Sequence, residues 1–284
     1  MDALEHVRSG QVSEALDALQ NQVRAEPSEA RHRVFLFQLL SVLGQWDRAL
    51  TQLNVAGEMD AGNLGMVQVY RQALASEALR AEVFAGNRTP LIFGDPEQWI
   101  ALLLEALKLY AAGEFEKSEE LRAEALEAAP TTAGRLNGRE FEWIADADTR
   151  IGPMLEAIIN GRYFWVPFNH IAEMRVEEPE DLRDLVWLPA QFKWMNGGEA
   201  VALIPVRYPG SESSEDPQIQ LGRRTEWDRQ GEDLYKGLGQ RILVTDQDEI
   251  SLLEIRNIAL KEPVEIRNMT LTQADGSDEP QSNG

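Results

Sequence analysis

The sequence predicts an α+β protein in which an N-terminal α-helical repeat array precedes a mostly antiparallel β domain. Through residues 1–130, apolar residues recur at the spacing of amphipathic helices. After about residue 136, the pattern changes to short apolar runs separated by turn-forming residues. We therefore place a helical domain at residues 1–130, a β domain at residues 137–272 and a disordered polar tail at residues 273–284.

The helical half repeats a short pattern. Gly10 and Gly44 lie 34 residues apart, and each is followed two positions later by a large apolar residue. Gly113 starts a third copy 69 residues after Gly44, close to two further periods. A glycine at this point can end one helix in the left-handed conformation before the chain returns as a second helix. The period resembles that of the tetratricopeptide repeat.

The middle of the array departs from this pattern. Residues 64–84 predict one long helix, and the segment GNRTPLIFGDP at residues 86–96 interrupts the series. An irregular helical bundle is the alternative to a repeat array, but the coincidence of several positions in one register favours the repeat.

A repeat array presents a concave surface that suits a peptide or a helix. The positions of the first helix of each copy that should face this surface are our candidates for partner binding. They are Arg31, Val34, Gln38 and Ser41 in the second copy, and Ile100, Leu103, Leu107 and Tyr110 in the last copy. A leucine-rich stripe of this kind also fits a buried core, and the sequence leaves both readings open.

Turn signals divide the second half into short strands. Asn160-Gly161 separates two apolar runs within residues 154–168, which is a strong hairpin signal. Asn196-Gly197-Gly198 marks a second hairpin, and residues 240–260 offer two more strands. We expect an antiparallel barrel or two packed sheets. The aromatic run RYFWVPF at residues 162–168 is expected to be a buried strand, with an exposed platform for a partner as the alternative.

Two segments of the β half lack a strand pattern. Residues 179–186 predict the one short helix of this half, because acidic residues occupy its first turn. Residues 207–239 combine many charged, glycine and serine residues with little periodicity, and we expect a long loop there.

Composition limits the classes of function. With 27 basic and 48 acidic residues the formal net charge is −21, so nucleic acid and anionic membranes are poor partners, whereas a basic protein fits. The absence of cysteine excludes disulfides and thiolate metal sites. We find no signal peptide and no apolar run long enough to span a membrane, and we expect a cytoplasmic protein.

The stretch WIADADTR, residues 143–150, is the best candidate for chemistry. On a strand, Asp146, Asp148 and Arg150 would share one face, and the two carboxylates could hold a divalent cation in a metal-dependent hydrolase. The plainer reading, which we favour, is the polar face of a half-buried strand, with Trp143 and the intervening alanines directed inward.

Other signals of catalysis are weak. The three histidines, His6, His32 and His170, share no metal-ligand spacing. The sequence has neither a phosphate-binding loop of the G-x-x-x-x-G-K-[ST] type nor a serine in a G-x-S-x-G elbow. We expect no catalytic residue, no metal and no cofactor.

The motifs of the second half resemble those of one family. FEWIADADTRIGP, NGRYFWVPF, LRDLVWLPA, VRYPGSE, LGRRTEW and GLGQR occur in order between about residues 137 and 260. Their order and spacing resemble the ImpE/TagJ family of type VI secretion accessory proteins. The degenerate helical repeats also fit this family, so the resemblance covers nearly the whole chain.

The resemblance implies a non-enzymatic role. Family members are associated with the small subunit of the secretion sheath, through a helix near its N-terminus, and with the AAA+ ATPase that disassembles contracted sheath. We therefore expect an adaptor between these two partners, with no catalytic residues to transfer. A general peptide-binding adaptor outside secretion is the other non-catalytic alternative.

Overall fold

The computed structural model describes residues 2–261. The end of the predicted β domain and the predicted tail, residues 262–284, lie outside the described residues. The α+β fold class is confirmed: the chain forms a helical layer first and a mostly antiparallel sheet afterwards. Within residues 2–261 the main sheet stays open, so the barrel alternative is wrong.

The helical layer has seven helices within residues 2–128, and they pair as the repeat pattern predicts. Helices α1 and α2, α3 and α4, and α6 and α7 form adjacent pairs, while α5 has no pair partner of its own and packs mainly against α4. Their bounds are α1 (Ala3–Arg8), α2 (Val12–Ala25), α3 (Ala30–Val42), α4 (Trp46–Met59), α5 (Leu64–Phe84), α6 (Gln98–Ala111) and α7 (Phe115–Ala128).

Each repeat glycine lies in the turn between the two helices of one pair. Gly10, Gly44 and Gly113 adopt φ values of +76°, +65° and +80°, the left-handed region that side chains disfavour. After Gly44, the Gln45 N–H donates back to the Leu40 carbonyl at 2.9 Å, and this bond satisfies an otherwise free carbonyl at the end of α3. The sequence pattern therefore has a local backbone cause.

The main sheet has nine strands in the order β1-β6-β5-β9-β8-β7-β14-β2-β3, and only the β1–β6 pair is parallel. Its strands are β1 (Leu91–Ile92), β2 (Gly134–Leu136), β3 (Arg139–Phe141), β5 (Met154–Ile159), β6 (Arg162–Pro167), β7 (Ile171–Val176), β8 (Trp187–Trp194), β9 (Glu199–Pro205) and β14 (Asn257–Leu260). A smaller sheet contains β4 (Ile144–Asp146), β12 (Ile242–Thr245) and β13 (Glu249–Ser251).

The hairpin signals are confirmed. Asn160 and Gly161 connect β5 to β6 with φ values of +49° and +73°, as a tight type I′ turn requires. The aromatic run lies on β6, where Tyr163 and Trp165 are fully buried, so the reading as a buried strand is confirmed. The interrupting segment 86–96 contributes the edge strand β1.

The helices pack on one face of the sheet and share a core with it. Phe84 of α5 contacts Trp165 with ring centroids 5.6 Å apart, and Tyr70 contacts Trp187 at 6.0 Å. Strand β5 is buried on both faces: Met154 joins the core beneath the helices, and Leu155 joins a second core against the smaller sheet. Both halves of the chain therefore bury apolar surface against each other.

The prediction of a long loop at residues 207–239 is wrong. This segment contains helix α8 (Pro217–Gln220), strand β10 (Thr225–Arg229) and strand β11 (Tyr235–Gly239), and the two strands form a hairpin. Both faces of β10 are mostly exposed, so its sequence shows no apolar alternation by which it could be recognised. The helix predicted at 179–186 is a single 3₁₀ turn, Leu182–Leu185.

Candidate functional site

The acidic pair of WIADADTR lies inside the protein rather than on a polar face. Asp146 and Asp148 are 2% and 0% exposed, and Arg150 is also buried. Trp143, which we expected to face inward, is 40% exposed. The predicted orientation of this strand is therefore wrong. Arg241 supplies the charge that permits Asp146 to be buried, and Arg150, two residues away, supplies it for Asp148.

Asp146 belongs to a cluster of buried charges between the helices and the sheet. Arg241 is 0% exposed and donates to both Asp146 and Glu156 of β5. Arg80 of α5 reaches the same Glu156 through two hydrogen bonds of 2.7 and 3.0 Å. Helix, main sheet and smaller sheet are thus joined by one chain of ion pairs, Arg80–Glu156–Arg241–Asp146.

Asp148 and Arg150 form a neighbouring pair. Asp148 accepts from the side chain of Arg150 and, at 3.0 Å, from the backbone N–H of Gly237 in β11. Arg150 also lies over the ring of Phe84, with its guanidinium carbon 4.9 Å from the ring centroid. The pair connects the β10–β11 hairpin to the helical layer.

Burial and pairing move the pKa values of these carboxyls in opposite directions. Burial alone would raise the pKa of Glu156, but Arg80 and Arg241 outweigh it and hold the pKa at about 2. Burial raises the pKa of Asp146 to about 7, and Asp148 adds to this effect while Arg241 opposes it. Two carboxyls that share Arg241 therefore differ in proton affinity because Glu156 has a second arginine.

The buried carboxylates of the cluster accept hydrogen bonds from several donors of the protein itself. Asp146 accepts from the Tyr208 hydroxyl at 2.9 Å, from the Asp148 N–H at 2.8 Å and from Arg241. Within residues 2–261, no group of three or more histidine or acidic residues is placed to hold a metal ion. The arrangement acts as a structural junction, and its chemistry is ion pairing.

Two arginines of the segment predicted as a loop reach across to the ends of helices. Arg207 donates to the Val42 carbonyl at the end of α3 at 2.7 Å. Arg223 donates to the carbonyls of Val7 and Arg8 at the end of α1, each at 3.1 Å. Cations at helix C-termini are favourable because the free carbonyls there carry partial negative charge. Burial lowers the pKa of Arg207 to about 10.

Most of the residues predicted to bind a partner are covered by the protein's own sheet and helices. Of the eight residues, five are buried, two are half-buried and one, Arg31, is exposed. The buried residues are Gln38, Ser41, Ile100, Leu103 and Leu107, and the half-buried ones are Val34 and Tyr110. The role of these residues in partner binding stays a prediction, and in this structure Arg31, Val34 and Tyr110 are the members that are not buried.

Arg31, Val34 and Gln38 line an open cleft of about 510 Å³ beside α1 and α3, which we call the α1–α3 cleft. Its apolar wall consists of Leu4, Ala30, Val34, Phe35 and Leu182, and its polar members are Arg31, Gln38, Asp60, Asn63, Glu180 and Asp181. Leu4 is 45% exposed. An apolar wall beside charged residues is suited to an amphipathic helix.

The three histidines have structural partners. The His170 ring bonds to the Phe93 carbonyl at 2.8 Å and so holds the segment that contains β1 against the sheet. His6 bonds to Gln11 and His32 bonds to Glu26. Within residues 2–261, no helix is both long enough and apolar enough to cross a membrane.

The fold and the site define a class of protein: a layer of helical repeats that is joined by buried ion pairs to an antiparallel sheet. The chain belongs to the ImpE family, whose family model matches residues 138–259. It is 52% identical over 260 residues to the type VI secretion system accessory component TagJ of Pseudomonas aeruginosa, covering 91% of this chain and 90% of that protein.

A solved structure has the same fold. The crystal structure of protein VPA1032 from Vibrio parahaemolyticus matches with a TM-score of 0.81, covering 92% of this chain and 98% of that one. At 23% sequence identity, this likeness concerns the fold alone.

Proposed function

We propose that this chain is a non-enzymatic accessory component of a type VI secretion system. In this proposal it binds a helix of the sheath small subunit in the α1–α3 cleft and links that subunit to the AAA+ ATPase that recycles the sheath. The 52% identity to TagJ supports the assignment to the secretion system. The observation that carries the binding site is the open cleft at Arg31 and Val34.

The shape of the cleft suits a helix. Val34 and Phe35 project from α3 and are half-buried, and Leu182 of the 3₁₀ turn is half-buried beside them. With Leu4, they offer an apolar surface on which residues spaced three and four apart on one helix face can rest. Because these side chains are already packed against the protein on one side, little ordering is needed on binding.

The charge of the cleft indicates the kind of helix. Asp60, Glu180 and Asp181 line it against the single basic residue Arg31, which lies 3.2 Å from Glu29 outside the cleft. The whole chain carries a net charge of −21. A helix with basic residues beside its apolar stripe would therefore be attracted over distance and matched on contact.

The link to the ATPase completes the proposed role in the cytoplasm. A chain that holds the sheath subunit by one surface leaves the rest of its acidic surface free for a second partner. Pull-down of the ATPase with the sheath subunit should therefore be stronger when this chain is added, and a cleft variant should lose this increase.

A pair of full-length valine variants tests the binding site. Val34→Asp places a charge in the apolar wall of the cleft, whereas Val69→Asp places the same charge on α5, outside the cleft, at a side chain that is 45% exposed. Binding to the purified sheath small subunit is measured by calorimetry. Thermal unfolding of both variants establishes that each is folded.

The proposal predicts that Val34→Asp weakens binding by at least about tenfold, since burying an unpaired charge in an interface costs at least about 1.4 kcal/mol. Val69→Asp should bind like the parent protein. Equal binding by both folded variants would contradict the cleft as the site. Absence of any binding by the parent protein would contradict the proposed function itself.

A further inference from the structure

The β10–β11 hairpin has one edge fixed to the protein and one edge open. In its register Trp227 lies opposite Gly237, and the ladder is continued by backbone bonds between Gln240 and Arg224 and between Gln230 and Leu234. Hydrogen-bonded pairs alternate along an antiparallel ladder, so the even-numbered residues of β10 bond to β11. The N–H and C=O groups of the odd-numbered residues therefore point away from β11.

The far edge of β11 is held by the body of the protein. Gly239 donates to the Ser211 hydroxyl at 2.7 Å and accepts from the Tyr208 N–H at 2.9 Å. Gly237 donates to Asp148 at 3.0 Å, and Tyr235 donates to the Thr149 hydroxyl at 2.9 Å. This anchoring keeps the hairpin in place and leaves β10 as its outer strand.

The outer edge of β10 offers a row of free backbone groups. Across the described part of the chain, no backbone or side-chain hydrogen bond reaches the N–H or C=O of Thr225, Trp227 or Arg229. The Trp227 ring packs on Tyr208, with centroids 5.5 Å apart, and still keeps 38% of its surface exposed. An unpaired edge of this kind is a template for another strand.

We propose that the open edge of β10 binds an extended, basic segment of a partner protein, which adds a third strand to the β10–β11 hairpin. Backbone bonds to Thr225, Trp227 and Arg229 supply the affinity, and the side chains of β10 set the sequence preference. This surface shares no residue with the α1–α3 cleft and does not depend on the proposed function.

The side chains of β10 specify the charge of the added strand. Glu226 and Asp228 project from one face of β10, and Trp227 projects from the other. Glu226 shares Arg224 with Asp216, whereas no ion pair of the described residues reaches Asp228. A partner strand with lysine or arginine opposite the two acidic residues and a β-branched or aromatic residue opposite Trp227 forms favourable cross-strand pairs. The partner segment therefore alternates basic and apolar residues.

A second copy of this chain fits the edge poorly. Antiparallel pairing of β10 with β10 about Trp227 would place Glu226 directly opposite Asp228 of the other copy, twice in one dimer. Like charges directly opposite each other are destabilising. The strand thus discourages its own association while it remains open to a basic segment.

Synthetic peptides test the proposal on the full-length protein. The probe is the acetylated and amidated heptapeptide Ser-Lys-Val-Lys-Val-Lys-Ser. One control peptide replaces lysine by glutamate, and another carries N-methyl groups on both valines, which removes donors to the β10 carbonyls but keeps the charge. Binding is followed by fluorescence anisotropy of labelled peptides and by hydrogen exchange of the protein amides.

The lysine peptide should slow amide exchange of Thr225, Trp227 and Arg229 at least about tenfold at saturation, because free amides become hydrogen-bonded. Glu226 and Asp228 amides already bond to β11 and serve as internal references. The double variant Glu226→Lys/Asp228→Lys should lose at least about tenfold in affinity through loss of attraction and added repulsion. The charge-matched control Glu14→Lys/Asp17→Lys on α2 should bind like the parent.

Three results would overturn the proposal: no binding of the lysine peptide, equal binding of the glutamate or N-methylated peptide, or equal losses in the two double variants. Protection of the β10 amides that rises with protein concentration in the absence of peptide would also overturn it, because it would identify a second copy as the occupant.

Discussion

Replacing Glu156 by glutamine tests the importance of the buried ion pairs. Glu156 is fully buried and accepts hydrogen bonds from Arg80, Arg241 and the Tyr163 hydroxyl. Glutamine has nearly the same shape but no charge, so both arginines lose part of their compensation without a large change in packing. The variant therefore isolates the electrostatic contribution.

The magnitude follows from the pKa of Glu156. A pKa of about 2 in the folded protein, against the ordinary 4.5, corresponds to about 3 kcal/mol of stability above pH 4.5. Removal of one partner from a buried ion pair typically costs about 3–5 kcal/mol, in agreement with this value. For a chain of this size the melting temperature should fall by about 6–12 °C.

Urea unfolding at pH 7, followed by tryptophan fluorescence and circular dichroism, measures the free energy of unfolding that Glu156→Gln loses. The control is Glu178→Gln, because the Glu178 side chain is 82% exposed and lies 3.8 Å from Arg256. Glu178→Gln should change the free energy of unfolding by no more than about 0.5 kcal/mol. If Glu156→Gln lowers the free energy of unfolding by less than about 1 kcal/mol, with an unchanged slope of that free energy against urea concentration, the prediction is wrong.

Two further predictions follow from the same structure. Asp146 has a folded-state pKa of about 7 against 3.8, so its contribution to stability declines as pH rises from about 4 to 7. Asp146→Asn should remove this decline, which is measured as the change in unfolding free energy between urea titrations at pH 5 and pH 7.5. An equal change in the parent protein and in the variant would contradict the prediction. Gly113→Ala should lower the free energy of unfolding by about 1–2 kcal/mol, because alanine disfavours the φ of +80° at this position. The added carbon itself meets no atom within 4 Å. Gly237→Ala should cost more, since its added carbon would overlap the Tyr208 ring, and the reverse order in denaturation experiments would be inconsistent with the hairpin packing.

Features with local causes could be predicted from the sequence. The glycines after the first helix of each repeat and the Asn160-Gly161 turn act through the backbone of a few neighbouring residues. Their positions therefore predict the helix pairs and the hairpin without knowledge of the rest of the chain. The buried aromatic strand β6 was predictable for a similar reason, because its burial is explained by its own composition.

The orientation of Asp146 could not be predicted from alternation alone. Alternation shows that residues share a face but not which face is inward, and the answer here depends on Arg241, which is 95 residues away. One signal was present in the sequence. Glu156 stands within the apolar run MLEAII, and a carboxylate in a strand buried on both faces requires a buried cationic partner.

The partner-binding prediction was limited by the sheet that covers the helices. Ser41 and Leu103 occupy positions that would face the groove of an isolated repeat array, but both are buried here. A repeat pattern specifies how neighbouring helices pack, whereas it does not specify what a following domain covers. The shared core also favours experiments on the full-length chain over separated halves.

Photo-cross-linking tests the central claim, that the α1–α3 cleft holds a helix of the sheath small subunit. The photoreactive residue p-benzoylphenylalanine replaces Val34 in the cleft or Val69 outside it, in full-length protein that is mixed with the sheath small subunit and illuminated. We predict a cross-link from position 34 to the N-terminal helix of the subunit and none from position 69. A cross-link from position 69 alone, or from position 34 to another part of the subunit, would contradict the account.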